Sequence, residues 1–268
     1  MIIQHNIAAI NSYRNLGTNQ SNLSKNLEKL SSGYRINRAG DDAAGLAISE
    51  SMRSQINGLN QATKNANDAI GLIQTAEGAL TETHSMLQRL TTLASQSANG
   101  TYNTVARGNL QKEVNRLLEE INRISNDTDF NGVKPISAGT ITFQIGPTAG
   151  ERLALTTCGM AASDISINTI NVSTLSGGND AITKIKSAIN KVSDYRADLG
   201  AAQNRLEHTV NNLKVTSENI TAAESRIRDT DMADEITGFT KNNILLQASQ
   251  SMLAQSNSVP QSILSLLQ

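Results

Sequence analysis

The sequence predicts a mainly α chain: an elongated antiparallel helical bundle or coiled coil with paired terminal helices and a small central β-hairpin region. Three observations carry that expectation. Every seventh residue from 59 to 94 is apolar, as Leu59, Ala66, Ile73, Leu80, Leu87 and Ala94. A second row runs Ile185, Val192, Leu199, Leu206, Leu213, Ile220 and Ile227. A strict seven-residue repeat keeps one helical stripe facing a partner helix, and these two rows can bury each other only if the chain doubles back. Finally, Trp is absent and aromatic residues make up 3% of the 268 residues. Large aromatics dominate thick cores, so their scarcity favours thin helical layers.

Residues 3 to 33 read as a helix, with Ala9, Tyr13, Leu16, Leu23, Leu27 and Leu30 at three-, four- and seven-residue steps. Gln20 and, near the other terminus, Asn243 are the polar stripe positions expected to fix register. Gly33 and Gly40 break the helix, and Asp41 or Asp42 is placed to cap the next one by accepting from its free amides. That second helix should run from about 43 to 98, roughly 85 Å at 1.5 Å per residue. Asn99-Gly100 ends it, and a shorter helix follows from about 105 to 126. Residues 129 to 176 change character. Runs 140–145 and 152–156 alternate like strands around Gly146-Pro147-Thr148-Ala149-Gly150. Ser176-Gly177-Gly178 should close this region. A long helix from 180 to about 228 returns along the second, a break at 229–232 follows, and a last amphipathic helix covers about 232–257. Pro260 should interrupt the apolar tail.

The expected organisation is a terminal coiled coil from 1–33 and 232–268, connectors 34–45 and 228–231, and a central helical bundle 46–227 that includes the hairpin region. A lone pair of thin helices buries little surface against the entropy of ordering. Residues Ile7, Leu16, Leu23, Leu27, Leu30, Ile236, Leu246, Leu253, Leu266 and Leu267 are therefore the expected contacts with other copies of the chain. Repeated heterologous contacts that do not close generate a helical polymer. Gly33, Gly40 and Gly45 should give the connector its turns, and Arg35 and Arg38 are placed to meet acidic groups of a neighbouring copy. The plainer reading of this segment is a linker that ends one helix and caps another.

Composition excludes several classes. Net charge is −1, with 23 basic against 24 acidic residues and no basic run, so nucleic acid is not an expected partner. No apolar stretch approaches the roughly 20 residues of a membrane span. The start Met1-Ile2-Ile3-Gln4-His5 shows no Sec-type leader, which taken plainly means a cytoplasmic chain. His5, His84 and His208 stand apart from metal-like partners, Asp41-Asp42 reads as a cap, and Gly146 to Gly150 lacks the Gly-Lys-Ser/Thr ending of a phosphate loop. Cys158 is the single cysteine, has no base near it in sequence and cannot form an internal disulfide. No catalytic residue, cofactor or metal site is expected, and the chain does not read as an enzyme.

Several ordered motifs resemble bacterial flagellin. They are Asn6-Ile7-Ala8-Ala9, Arg14-Asn15-Leu16, Leu27-Glu28-Lys29-Leu30-Ser31-Ser32-Gly33-Tyr34-Arg35-Ile36-Asn37 and Asp41-Asp42-Ala43-Ala44-Gly45-Leu46-Ala47-Ile48. Toward the other terminus stand Glu224-Ser225-Arg226-Ile227-Arg228-Asp229-Thr230-Asp231-Met232-Ala233, Gln247 to Gln255, Pro260-Gln261 and Leu266-Leu267. The resemblance spans about 1–135 and 180–268; Gln4 and Ser256 depart from it, where Asn and Ala are usual. It implies a self-assembling subunit of the flagellar filament, exported uncleaved through the flagellar type III apparatus. That moves the expected location from cytoplasm to outside the cell. It also implies an export chaperone and junction and cap proteins as partners. Hook–filament junction proteins share both terminal patterns but usually carry a longer middle, and the short 129–176 region favours flagellin. An enzymatic insert is disfavoured, since the His-Glu-x-x-His helix of protease-bearing members is missing here. Members recognised by Toll-like receptor 5 share a Leu-Gln-Arg-x-Arg-Glu-Leu motif and a Glu on the following helix. By resemblance Arg89, Leu93 and Glu113 are the corresponding contacts, with Thr91 and Thr92 standing where the family has Arg-Glu. The plain alternative is a solvated bundle face.

Overall fold

The computed structural model describes residues 6–266, with side-chain surroundings through 262. Its elements are α1 (Ile7–Ser32), α2 (Ala43–Ser97), α3 (Thr104–Asp127), β1 (Gly139–Gln144), β2 (Arg152–Thr157), α4 (Leu175–Arg228) and α5 (Met232–Leu266). The fold is mainly α, as expected. Two compact units are present among the described residues, 6–56 with 218–266 and 57–217, so each boundary falls inside a long helix. The connectors 34–45 and 228–231 belong to the same unit as the terminal helices.

In the central unit, 57–217, the heptad rows are the core. Leu59, Ala66, Ile73, Leu80, Leu87 and Ala94 of α2 are all buried, as are Ile185, Val192, Leu199, Leu206 and Leu213 of α4. Val114, Leu118 and Ile121 of α3 join the same cluster. Strands β1 and β2 pair antiparallel with Ile141 opposite Leu155 and Phe143 opposite Leu153; β2 turns Leu153, Leu155 and Thr157 inward. Residues 158–174 form no helix or strand, yet Met160, Ala162, Ile165, Ile167, Ile170 and Val172 are buried. The strap's backbone bonds itself in turns, as in the Ile167 amide on the Ala162 carbonyl at 2.8 Å, and side chains of neighbouring helices satisfy further groups. Asn122 Oδ1 accepts from the Ala162 amide at 2.9 Å. Gln111 accepts from the Val172 amide at 2.6 Å and donates to the Ile170 carbonyl at 3.2 Å. Tyr195, buried on α4, donates to the Pro135 carbonyl at 2.8 Å.

Two boundaries differ from the sequence expectation. Helix α4 begins at Leu175, so Ser176-Gly177-Gly178 opens the helix and does not close the loop. Thr174 Oγ1 accepts from the Gly177 amide at 3.1 Å as a cap. A β-carbon at Gly178 would lie 2.9 Å from the Ala98 amide nitrogen and 3.2 Å from the Ala94 carbonyl oxygen, so a close helix crossing demands glycine there. The second difference is Pro260, which lies inside α5 without ending it. Proline cannot donate to the carbonyl four residues back, which is Ser256; that carbonyl accepts instead from Asn6 Nδ2 at 2.8 Å. A side chain of α1 thus supplies the bond that the proline removes.

Candidate assembly surface

The terminal unit is built around α1 and α5. Asn6 caps α1 by accepting from the Ala9 amide at 3.1 Å. Gly33 ends the helix in the left-handed region, at φ 75°, with its amide on the Lys29 carbonyl. The two helices run antiparallel, as three cross-contacts define: Asn6 to Ser256, Asn19 Nδ2 to Ser249 Oγ at 3.0 Å, and Lys29 to Glu235 at 3.8 Å. Half-buried α1 residues recur as Ala9, Ser12, Leu16, Asn19, Leu23, Asn26 and Leu30, the three- and four-residue steps of a coiled-coil seam. Facing positions on α5 include Leu246, Ser249, Leu253 and Ser256. Every second seam position of α1 from 12 to 26 is polar, and α1 has no fully buried residue.

This geometry corrects the single stripe expected for α1. Leu16, Leu23 and Leu30 face the seam, while Tyr13 and Leu27 lie outside it, 69% and 57% exposed. Gln20 is exposed as well, and its neighbour Asn19 is the residue at this level that makes a polar contact to α5. The expected contact residues therefore divide. Leu246 and Leu253 are half-buried in the seam, whereas Ile7 and Ile236 are exposed. Leu267 and the side chain of Leu266 lie outside the described residues. Ile10, Ile244, Leu245 and Met252 are further exposed apolar side chains that the sequence reading did not select. The signal for them was the residual apolar positions left over once a seam with interleaved Asn and Ser is drawn.

The connector is folded back on the same unit. Tyr34 and Asp229 form an isolated antiparallel bridge, with the Arg35 amide on the Arg228 carbonyl at 2.7 Å and the Thr230 amide on the Gly33 carbonyl at 3.0 Å. The Arg35 guanidinium donates to the Ile227 carbonyl at 2.6 Å, at the negative end of α4. Arg38 pairs with Glu28 at 2.8 Å. Arg228 pairs with Glu50 at 2.6 Å and lies 4.8 Å from the centre of the Tyr34 ring, and Arg53 pairs with Glu224 at 3.1 Å. Asp42 is the α2 cap, accepting from the Gly45 amide at 2.9 Å. Asp41 closes the loop by accepting from the Arg38 and Asn37 amides, and these bonds hold its carboxyl below the usual range. Of the three connector glycines only Gly33 takes a left-handed conformation. Gly40 lies in the turn closed by the Asp41 amide on the Arg38 carbonyl at 2.9 Å, but open space surrounds it and its backbone is not left-handed, so that turn does not demand glycine. At Gly45 a β-carbon would meet the side-chain ends of Asp42 and Ile36 at 2.5 and 2.8 Å, so packing against the cap, not a turn, favours glycine.

In the central unit Arg89 and Glu113 pair at 2.7 Å on an exposed face. Leu93 does not accompany them. It is 0% exposed in the core, so its assignment as a receptor contact is corrected: no partner reaches that side chain in the folded unit. His84 contacts Gln88 on its own helix and Cys158 is exposed and unbridged. Among the described residues no cluster of three His, Cys, Asp or Glu side chains is placed to hold a metal, and no helix is long and apolar enough to cross a membrane.

A packed helical unit joined to a helix pair that keeps much of its apolar surface exposed defines a class: helical subunits built to be completed by other chains. The bacterial flagellin N-terminal helical region matches residues 3–139 and the bacterial flagellin C-terminal helical region matches 182–267. The chain is 50% identical to a flagellin of Bacillus subtilis (strain 168) and 51% identical to one of Halalkalibacterium halodurans, each across 100% of both chains. The flagellar filament 33 kDa core protein of Treponema phagedenis is 47% identical over the same full coverage. A crystal structure of Bacillus cereus flagellin superposes with a TM-score of 0.52 at 32% identity, covering 60% of this chain and 94% of that one. The chain belongs to the bacterial flagellins, the structural subunits of the extracellular flagellar filament. Its match to full-length flagellins favours this reading over a hook–filament junction protein.

Proposed function

We propose that the filament is held together through the outward apolar faces of α1 and α5. Ile7, Ile10, Tyr13 and Leu27 form the α1 contribution, and Ile236, Ile244, Leu245 and Met252 the α5 contribution. The observation that carries this is the absence of any fully buried residue in α1 beside so many exposed apolar side chains. Exposed apolar surface on this scale marks an interaction site, and non-closing heterologous contacts between identical copies yield a filament. Within this reading Leu16, Leu23, Leu30, Leu246 and Leu253 set the pair, and the connector residues Arg35 and Arg38 hold its root through partners in the same chain. The role is structural, not catalytic.

Before assembly the same α5 face needs cover, which suits an export chaperone in the cytoplasm ahead of passage through the flagellar type III apparatus. Junction and cap proteins would meet it at the filament's ends. One variant addresses both readings. Ile236→Glu, Ile244→Glu and Met252→Glu together should abolish filaments in negative stain and cognate-chaperone binding in calorimetry, with the central unit's thermal transition unchanged. Normal filaments from that variant would refute the assembly surface, and normal chaperone binding would refute the covering role.

The exposed Arg89–Glu113 pair supports a second contact, with Toll-like receptor 5, on the central unit. Thr91 and Thr92 remove two charges from the family's motif, so the response should be weak and should fall further in Arg89→Ala. A reporter-cell response unaffected by Arg89→Ala would exclude this face as the contact.

A further inference from the structure

The chain contains three Asn-Gly pairs, at 57–58, 99–100 and 131–132. Glycine leaves the backbone nitrogen after an asparagine unhindered and the chain around it flexible. That nitrogen attacks the side-chain amide carbon wherever local structure lets the two meet. The three pairs sit in very different surroundings. Asn57-Gly58 lies inside α2, where the helical ladder fixes the backbone. Asn131-Gly132 forms a tight turn at φ 52° and 83°, closed by reciprocal Phe130 and Val133 backbone bonds of 2.9 and 3.1 Å. There the Gly132 amide is also held, donating to Asp129 Oδ2 at 3.0 Å.

Asn99-Gly100 lies neither inside a helix nor in a left-handed turn, and no bond among the described residues holds its glycine amide. It lies in the link between α2 and α3, both residues are exposed, and nothing stands within 4 Å of a β-carbon position at Gly100. The Asn99 side-chain oxygen already accepts from the Thr101 amide at 3.2 Å. That donor polarises the amide carbon and is placed to stabilise the oxyanion formed when nitrogen adds to it.

We propose that Asn99 is a self-modification site, converting through a cyclic imide with Gly100 to aspartate and isoaspartate. Solvent hydroxide removes the Gly100 amide proton, and the nitrogen forms a bond to Asn99 Cγ. The Cγ–Nδ2 bond then breaks and ammonia leaves, taking a proton from water. A water molecule opens the imide at either carbonyl, so one water is consumed and one ammonia released overall. The product places a carboxylate in the turn where Arg107 donates to the Asn99 and Ser97 carbonyls at 3.1 and 3.0 Å. A negative charge there attracts the guanidinium away from those carbonyls. The isoaspartate form additionally lengthens the α2–α3 link by one backbone carbon. In an extracellular filament the converted fraction records the time since synthesis.

Assembled full-length protein held at mildly alkaline pH and followed by peptide mass mapping tests this directly, since the exchange of an amide NH2 for OH changes the mass at each site. Conversion at Asn99 should exceed that at Asn57 and Asn131 by at least about tenfold, the ratio that a barrier difference of 1.36 kcal/mol produces. In denaturant, where all three pairs share a flexible backbone, the rates should converge to within about threefold, under 1 kcal/mol on the same scale. Gly100→Ala should slow Asn99 alone and leave the melting temperature unchanged. Equal or faster conversion at Asn57 or Asn131 in the native protein would overturn the proposal. So would a selectivity for Asn99 that persists undiminished in denaturant.

Discussion

The same three- and four-residue spacing of apolar side chains has opposite consequences in the two units. In the central unit it buries Ala66 to Ala94 and Ile185 to Leu206 in one continuous core. In the terminal unit Leu16, Leu23 and Leu30 reach only half-burial, and the intervening seam positions Ser12, Asn19 and Asn26 are polar. Ile220 and Ile227, which continue the α4 row into the terminal unit, are likewise half-buried. Periodicity therefore reports that a helix has a partner along one side. How deeply the stripe is buried depends on the number of layers around it. The central unit adds α3, the hairpin and the strap of 158–174; the terminal unit has the α1–α5 pair, a short connector and the adjoining ends of α2 and α4.

Three substitutions rank the contrast by expected effect on the isolated subunit. Leu80→Ala removes a fully buried side chain from the central core and should cost about 2–5 kcal/mol, as large-to-small core changes do. A lowered melting temperature of the central unit checks this, and a shift of less than a degree would break the comparison. Tyr195→Phe comes next. It deprives the Pro135 carbonyl of its donor and should cost about 1 kcal/mol near neutral pH.

Tyr195 also carries a pH signature. Its hydroxyl is pushed up to about 12, chiefly by burial. The folded chain thus keeps the proton that the unfolded chain releases near pH 10, and stability falls as pH rises between those values. Below about pH 10 the contribution is fully present, so melting curves of wild type and Tyr195→Phe should differ there and converge toward pH 12. A gap that stays constant across that window would contradict the assignment. Leu23→Ala should be the mildest, within about 0.5 kcal/mol for the monomer. The same change should lower the temperature at which filaments dissociate, because in the proposed assembly other copies pack against the pair that this seam sets. An effect on the monomer as large as that of Leu80→Ala would show that the terminal pair is a core in its own right.

Much of the fold was readable in order along the chain. The long helices, the hairpin and a cap at Asp41 or Asp42 follow from spacing, Gly positions and alternation, which are local properties. The strap of 158–174 was not readable as core. Its buried Ile165, Ile167, Ile170 and Val172 have no regular period, and Asn122 and Gln111, which hold its backbone, come from another element. Of the surface residues expected to contact copies or receptor, Ile7, Leu27, Ile236 and Arg89 are exposed and Glu113 is half-buried, while Leu93 is core. One face of α2 carries Leu90, Leu93 and Ala94 into the core cluster, and only packing distinguishes it from the Arg89 face next to it.

By itself the sequence determined which segments are helical, the breaks at the connectors and after α2, and that two heptad rows require partners, because backbone propensity and stripe geometry act within a few residues. The tertiary structure decided how complete each partnership is. It put Tyr13 and Leu27 outside the seam that takes Leu16 and Leu23, carried α5 through Pro260 by giving the Ser256 carbonyl a donor from Asn6, and required glycine at 178 through an approach of α2. Each of these depends on an atom supplied from a distant part of the chain, and a local reading of sequence contains no term for it.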